Sequence, residues 1–151
     1  MHFRFIVAAP LLVLVSAGCA GCAPKAPAGT EPARIVADFS SGKVTLMGSL
    51  PTATAHDRLL ERARQLYGQA HVQDQIGVDA KVIDAPWLST DLLWLPLVDS
   101  GITEGQSAFD GKHLILTGEV PTLTIRAQIS DRAAKAAGSG IGIDNHLQVS
   151  P

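Results

Sequence analysis

The chain is poor in several residue types, and each scarcity excludes a class of protein. Among 151 residues it has 2 Cys and 1 Tyr, and only 17% are charged. Two cysteines cannot build the disulfide framework of a small secreted scaffold. A hydrophobic content of 46% with no run of like charges argues against intrinsic disorder. A formal net charge of -2 gives no bulk positive charge that would recruit nucleic acid.

Patterns typical of catalysis are also missing. No HExxH, GxSxG or P-loop sequence occurs, and His56, His71, His113 and His146 fall on different predicted elements. The histidines at 71 and 146 flank or lie in equivalent strands, but no spacing of carboxylates supports a shared metal. We therefore expect no enzyme, no cofactor and no metal site.

The N-terminus has the order of a secretory signal peptide. Arg4 precedes an apolar run over residues 5–15, and small residues occupy 16–18. The run is too short to span a bilayer. We expect residues 1–18 to be removed during export.

Cys19 follows the small residues directly, an arrangement that resembles a lipobox, whose cysteine is acylated. A serine stands at position 16, where leucine is usual, and an ordinary signal peptide cut near residue 17 or 20 is the alternative. Cys19 and Cys22 also form a C-x-x-C pair, but no helix stands beside them to lower a thiol pKa. We predict lipidation at Cys19 and a flexible Pro/Ala tether over residues 19–33.

An internal repeat organises the rest of the chain. Residues 44–68 align with residues 114–138, and after one inserted residue 72–78 aligns with 143–149. The identical pairs in the first block are Leu46 and Leu116, Gly48 and Gly118, Pro51 and Pro121, Thr52 and Thr122, Thr54 and Thr124, Arg62 and Arg132, Ala63 and Ala133, and Gly68 and Gly138.

Each copy has the pattern of a β-β-α-β unit. In the first, residues 36–39 and 43–49 alternate as two strands around a turn at 40–42, and residues 72–78 alternate as a third. Gly48 within a strand indicates a close backbone approach or a bulge.

The helix of the first copy is expected to begin at Thr54, with Asp57 at the capping-box position, and to end at Gly68. Its apolar stripe is predicted at helical spacing on residues 55, 59, 63, 66 and 70. The second copy repeats the unit with strands at 104–109, 113–119 and 143–149, and a helix near 124–137 whose stripe is at 125, 129, 133 and 136.

Two units of this size are expected to share one core. A unit of about 40 residues has too little apolar area to be stable alone. We therefore predict an α+β fold in which repeat 1 (residues 34–79) and repeat 2 (residues 104–149) share a mixed sheet, with the helices packed on one face. The apolar connecting segment, residues 80–103, is predicted to hold a short helix capped by Ser89 or Thr90 and limited by Pro96, which covers the face left open between the units.

The repeated motif resembles the BON domain: a strand ending in Gly-x-x-Pro at 44–51, an Ala/Leu/Arg helix, and Val-x-Asp-x-Ile-x-Val at 72–78. Two copies joined by an apolar segment resemble the N-terminal double-BON module of some OmpA-like envelope proteins. The resemblance implies export to the cell envelope and an interaction role, with phospholipid or an envelope protein as partner. If Cys19 is acylated as in a lipoprotein, Ala20 rather than aspartate follows it, which by the usual sorting rule implies an outer-membrane lipoprotein facing the periplasm.

Two further hypotheses remain beside the binding module. One is a structural subunit of an envelope assembly, related to OmpA-like proteins but without their peptidoglycan-binding domain. The other is direct binding of a lipid surface through residues 92–98. An enzyme of unknown type is a distant third, which a cleft of convergent polar groups would favour.

Four residues are candidates for external contact. Trp87 and Trp94 suit membrane interfaces and protein hot spots, and their alternative role is packing in the core. Arg62 and Arg132 occupy equivalent helix positions and suit phosphate or carboxylate. Their alternative is a solvated helix face, since acidic residues stand beside both in the sequence.

Overall fold

A six-stranded sheet carries the fold. The structure, a computed structural model, describes residues 29–97 and 101–150. The predicted signal peptide, Cys19 and most of the tether lie outside the described residues. The strands are β1 Arg34–Ser40, β2 Lys43–Leu50, β3 Val72–Val78, β4 Glu104–Phe109, β5 His113–Val120 and β6 Gly142–Val149.

The strand order β3-β2-β1-β4-β5-β6 makes the sheet nearly symmetric about its centre. In each repeat a hairpin, β1–β2 or β4–β5, is antiparallel, and the third strand is added parallel to the second. An antiparallel pairing of β1 with β4 joins the two halves. The predicted α+β fold, with two ββαβ units in one mixed sheet, is confirmed.

The inserted residue of the second repeat leaves the strand register unchanged. Val44 pairs with Val72, and at the equivalent positions Leu114 pairs with Ile143. The extra residue therefore lies in the turn after the helix, where it is accommodated without moving the side chains of β6 to the other face.

Two α-helices, α1 Ala53–Tyr67 and α2 Leu123–Ala137, pack on the sheet. The predicted cap at Thr54 is wrong, because Thr52 is extended and its hydroxyl accepts the N–H of Ala55. Thr122 caps α2 in the same way, through Ile125. Within the described residues, no helix is both long enough and apolar enough to cross a bilayer.

The buried face of each helix differs from the predicted stripe near the C-terminus. In α1 the residues at 55, 59 and 63 are buried as expected, together with Leu60, whereas Leu66 is 47% exposed. The residue at 70 is exposed in a 3-10 turn, because Gly68, at φ 85°, has already ended the helix. In α2 Ala137 is buried rather than Ala136.

The connecting segment covers the centre of the sheet. It forms two 3-10 helices, Pro86–Ser89 and Asp91–Leu97, and Pro96 lies inside the second instead of limiting it. The second one contacts β1, β4, α1 and α2. Its leucines at 93, 95 and 97 are buried. The segment therefore fills the space between the helices with apolar side chains.

Gly48 and Gly118 are required by close backbone approaches. A Cβ at Gly48 would lie 2.0 Å from the carbonyl oxygen of Arg34, and one at Gly118 would lie 2.1 Å from that of Glu104. Both residues have positive φ, 134° and 123°. The close approach expected at Gly48 is confirmed, and it recurs in the second repeat.

Candidate functional site

A groove opens between the two α-helices, above the second 3-10 helix of the connecting segment. Its volume is about 550 Å³, within the range of small-molecule sites. We call it the interhelical groove. Its lining residues are Arg62, Leu66 and Tyr67 of α1, Asp91, Trp94 and Leu97 of the connecting segment, and Arg132 and Ala136 of α2.

The duplication produces the two walls. Arg62 and Arg132 are equivalent residues of the repeat, and so are Leu66 and Ala136. Within each helix the two residues are spaced by one helical turn, so an arginine and an apolar residue lie next to each other on each wall. The floor comes from the connecting segment, which occurs once.

Trp94 joins the floor to the first wall. The guanidinium carbons of Arg58 and Arg62 lie 5.5 and 5.7 Å from the centroid of its ring, within the range of cation–π attraction. The indole Nε1 is buried, and among the described residues it has no hydrogen-bond acceptor. An unsatisfied buried donor costs on the order of 1–3 kcal/mol.

The two groove arginines are not neutralised by carboxylates of the described residues. Arg62 donates to the Gln65 side chain at 3.5 Å, and Arg132 donates to the backbone oxygen of Gln128 at 3.3 Å. Ion pairs in the described part of the chain involve only His56 and His113. Both groove arginines therefore retain charge and N–H donors for another group.

Trp87 lies apart from the groove. Its ring meets that of Phe109 edge to face, with centroids 4.9 Å apart. It also lies against Gly111 of the β4–β5 turn, where a Cβ would be 2.3 Å from the indole Nε1. Trp87 packs on the core, so the structure brings three of the four candidate residues together and leaves this one out.

Sequence reasoning misses the remaining groove residues. Helical spacing assigns Leu66 to the core stripe, and no pattern singles out Tyr67 or Asp91. The sequence does hold one signal for Leu66, because it aligns with Ala136 in the repeat and each of the two follows an arginine by one helical turn. In the structure both residues are exposed on the same helix face as the arginines. The hydroxyl of Tyr67 donates to the backbone oxygen of Leu97 at 3.0 Å and fixes the wall to the floor.

A second polar cluster ties α1 to the edge strand β3. His56 Nε2 lies 2.8 Å from Asp74 Oδ2, and its Nδ1 lies 3.1 Å from Asp57 Oδ1. Desolvation lowers the pKa of His56, but hydrogen bonds and charges of the two carboxylates outweigh it, and the pKa is raised. No group of metal-binding residues is found among the described residues.

Comparison with known families finds a BON domain at residues 24–80. The match covers the first ββαβ unit and continues into the residues before it. No curated protein matches the chain. A BON domain indicates a phospholipid- or membrane-binding module.

Proposed function

We propose that this protein is a non-catalytic binding module of the cell envelope, an outer-membrane lipoprotein held through a lipidated Cys19 and facing the periplasm. The BON domain at residues 24–80 is the observation that carries the proposal. The second ββαβ unit continues the same sheet, which supports a double-BON module similar to that of some OmpA-like proteins.

The interhelical groove is the proposed contact surface. Arg62 and Arg132 attract anionic groups, while Leu66 and Trp94 offer apolar area beside them. A protein with a net charge of -2 gains little general attraction to anionic membranes, so binding has to depend on such a local arrangement. Insertion of residues 92–98 into lipid is disfavoured, since the leucines at 93, 95 and 97 are packed in the core.

Vesicle sedimentation tests the membrane-binding part. A chain that starts at residue 20 lacks the signal peptide and the acylated cysteine, yet keeps all the strands and helices of the described structure. We expect it to sediment with vesicles rich in phosphatidylglycerol and not with pure phosphatidylcholine vesicles. Equal recovery in the supernatant with both vesicle types would contradict the proposal.

A structural subunit held by a protein partner is the second candidate. The exposed apolar residue Leu66 in the groove favours it, because such side chains also suit protein contacts. A photoreactive amino acid at position 66 in whole cells separates the two. A discrete protein adduct supports the partner, whereas adducts with lipid alone support the membrane module.

Intact-mass analysis of the membrane fraction tests the anchor. A chain that begins at Cys19 and carries acyl groups is expected. A chain that begins elsewhere without acyl mass would refute lipidation while leaving the binding module untouched.

A further inference from the structure

We propose that the interhelical groove takes up one molecule of an amphiphile with a phosphate head and a single alkyl chain, and holds it by the head. The inference rests on the proposed function and deepens it. It adds that a single molecule enters the groove, where the proposed function requires only that the groove residues contact a membrane surface.

The two arginines favour a phosphate head. Arg62 and Arg132 face the groove from different helices, and neither is paired with a carboxylate of residues 29–97 or 101–150. A carboxylate has both oxygens in one plane, so a guanidinium fork that binds them leaves only in-plane acceptor sites for a second group. The non-ester oxygens of a tetrahedral phosphate diverge from the phosphorus, so they can be shared between two guanidinium groups on opposite walls and bridge the two helices.

The apolar lining favours an alkyl chain beside that head. Leu66 is 47% exposed, and Trp94 and Ala136 continue the apolar surface around the groove. Covering such side chains is favourable by about 25 cal/mol per Å² of apolar area. A volume of about 550 Å³ accommodates one chain rather than a bilayer patch.

A peptide is the less suitable occupant. The walls are α-helices and the floor is a 3-10 helix, whose backbone groups are largely bonded within the helices themselves. A peptide backbone laid in the groove would therefore find few partners for its own N–H and C=O groups, and each one left unsatisfied is costly. An alkyl chain has no such groups and needs no hydrogen-bond partners.

Asp91 sets the selectivity of the site. Its carboxylate is the acidic group among the described lining residues, and it opposes a head of high negative charge. A singly charged phosphodiester is therefore favoured over a dianion. For the same cause, Asp91→Asn is expected to strengthen binding of any phosphate-headed ligand.

The test is titration of dodecyl phosphocholine and dodecyl phosphate, each below its critical micelle concentration, into the chain that starts at residue 20. Trp87→Phe leaves Trp94 as the single tryptophan, so its fluorescence reports on the groove. We expect saturation at one molecule per chain by calorimetry and a change in Trp94 emission. Inorganic phosphate has the head without the alkyl chain, and dodecanol has the chain without the phosphate. Each should bind at least about tenfold more weakly than the amphiphiles.

Variants decide which residues hold the head. We expect Arg62→Gln and Arg132→Gln each to weaken binding of dodecyl phosphate about tenfold, the scale of one charge-assisted contact. Asp91→Asn should strengthen it severalfold. Arg64→Gln is the matched control, since Arg64 lies on α1 but does not line the groove, and it should bind as the parent does.

Three outcomes would overturn the inference. They are equal binding of dodecanol, unchanged affinity in the Arg62→Gln, Arg132→Gln double variant, and tighter binding of an acidic peptide than of dodecyl phosphate. If the soluble amphiphiles fail to bind while vesicles still bind, uptake of a single molecule is wrong and the membrane-binding module stands. Far-UV circular dichroism of each variant separates a lost site from a lost fold.

Discussion

Asp74 and Asn145 occupy the same place in the two edge strands, and each accepts the N–H of the residue two positions further along. The distances are 3.1 Å from Ile76 N to Asp74 Oδ1 and 2.9 Å from Leu147 N to Asn145 Oδ1. Each also reaches the helix of its own repeat, Asp74 through His56 and Asn145 through Ser130. The same position therefore ties the edge strand to the helix in both repeats. The link is the ionisable pair His56 and Asp74 in the first repeat and the neutral pair Ser130 and Asn145 in the second.

The ionisable link predicts a pH-dependent stability. Because the pKa of His56 is raised in the folded chain, its contribution is fully present below the unfolded value of about 6.5 and is lost as pH rises through the folded value. We expect His56→Gln to lower the free energy of unfolding at about pH 5 more than at about pH 8.5. Urea denaturation of both chains at the two pH values measures this, and an equal effect at both would contradict it.

The neutral link between Asn145 and Ser130 predicts a loss of stability whose size depends on whether the side-chain oxygen at position 145 is kept. Asn145→Ala removes both of its hydrogen bonds and should lower the free energy of unfolding by about 1–3 kcal/mol. Ser130→Ala removes the bond from Asn145 and the exposed bond from the Ser130 hydroxyl to the Arg126 oxygen, but it keeps the bond from Leu147 to Asn145, so a smaller effect is expected. Asn145→Asp keeps the oxygen that accepts from Leu147. Chemical denaturation measures the free energy of unfolding of the three variants. This role would be refuted if Asn145→Ala were no less stable than Ser130→Ala and Asn145→Asp.

The close backbone approach at Gly118 predicts a large loss of stability when this glycine is substituted. Gly118→Ala places a Cβ 2.1 Å from a backbone oxygen of the neighbouring strand, at a φ of 123°. Since neither backbone can move without breaking the ladder, we expect a loss of about 2 kcal/mol or more. Gly140→Ala is the control, because a Cβ there meets nothing within 4 Å. Similar melting temperatures for both variants would contradict this expectation.

Much of the fold follows from the sequence, because period-two alternation and a repeat constrain each other. The strands at 72–78 and 104–109 match the structure at both ends, and the ends of the other strands that differ do so by one or two residues. The cap is ambiguous in the sequence because threonines stand at both 52 and 54, and each has a helix-compatible sequence after it. Only the backbone conformation separates them.

The groove could be predicted only in part. The repeat singles out Arg62 and Arg132, but their approach depends on how two helices 70 residues apart lie across the shared sheet. The two tryptophans have similar apolar surroundings in the sequence, and the packing of Trp87 on Phe109 depends on the path of the connecting segment. A local pattern does not contain that information.

Binding of phosphatidylglycerol vesicles by the Arg62→Gln, Arg132→Gln double variant tests whether the two groove arginines hold the protein on a membrane. The parent chain and Arg64→Gln serve as references at matched ionic strength. We expect the references to sediment with the vesicles and the double variant, folded as judged by circular dichroism, to stay in the supernatant. Sedimentation of the double variant to the same extent as the references would contradict this expectation.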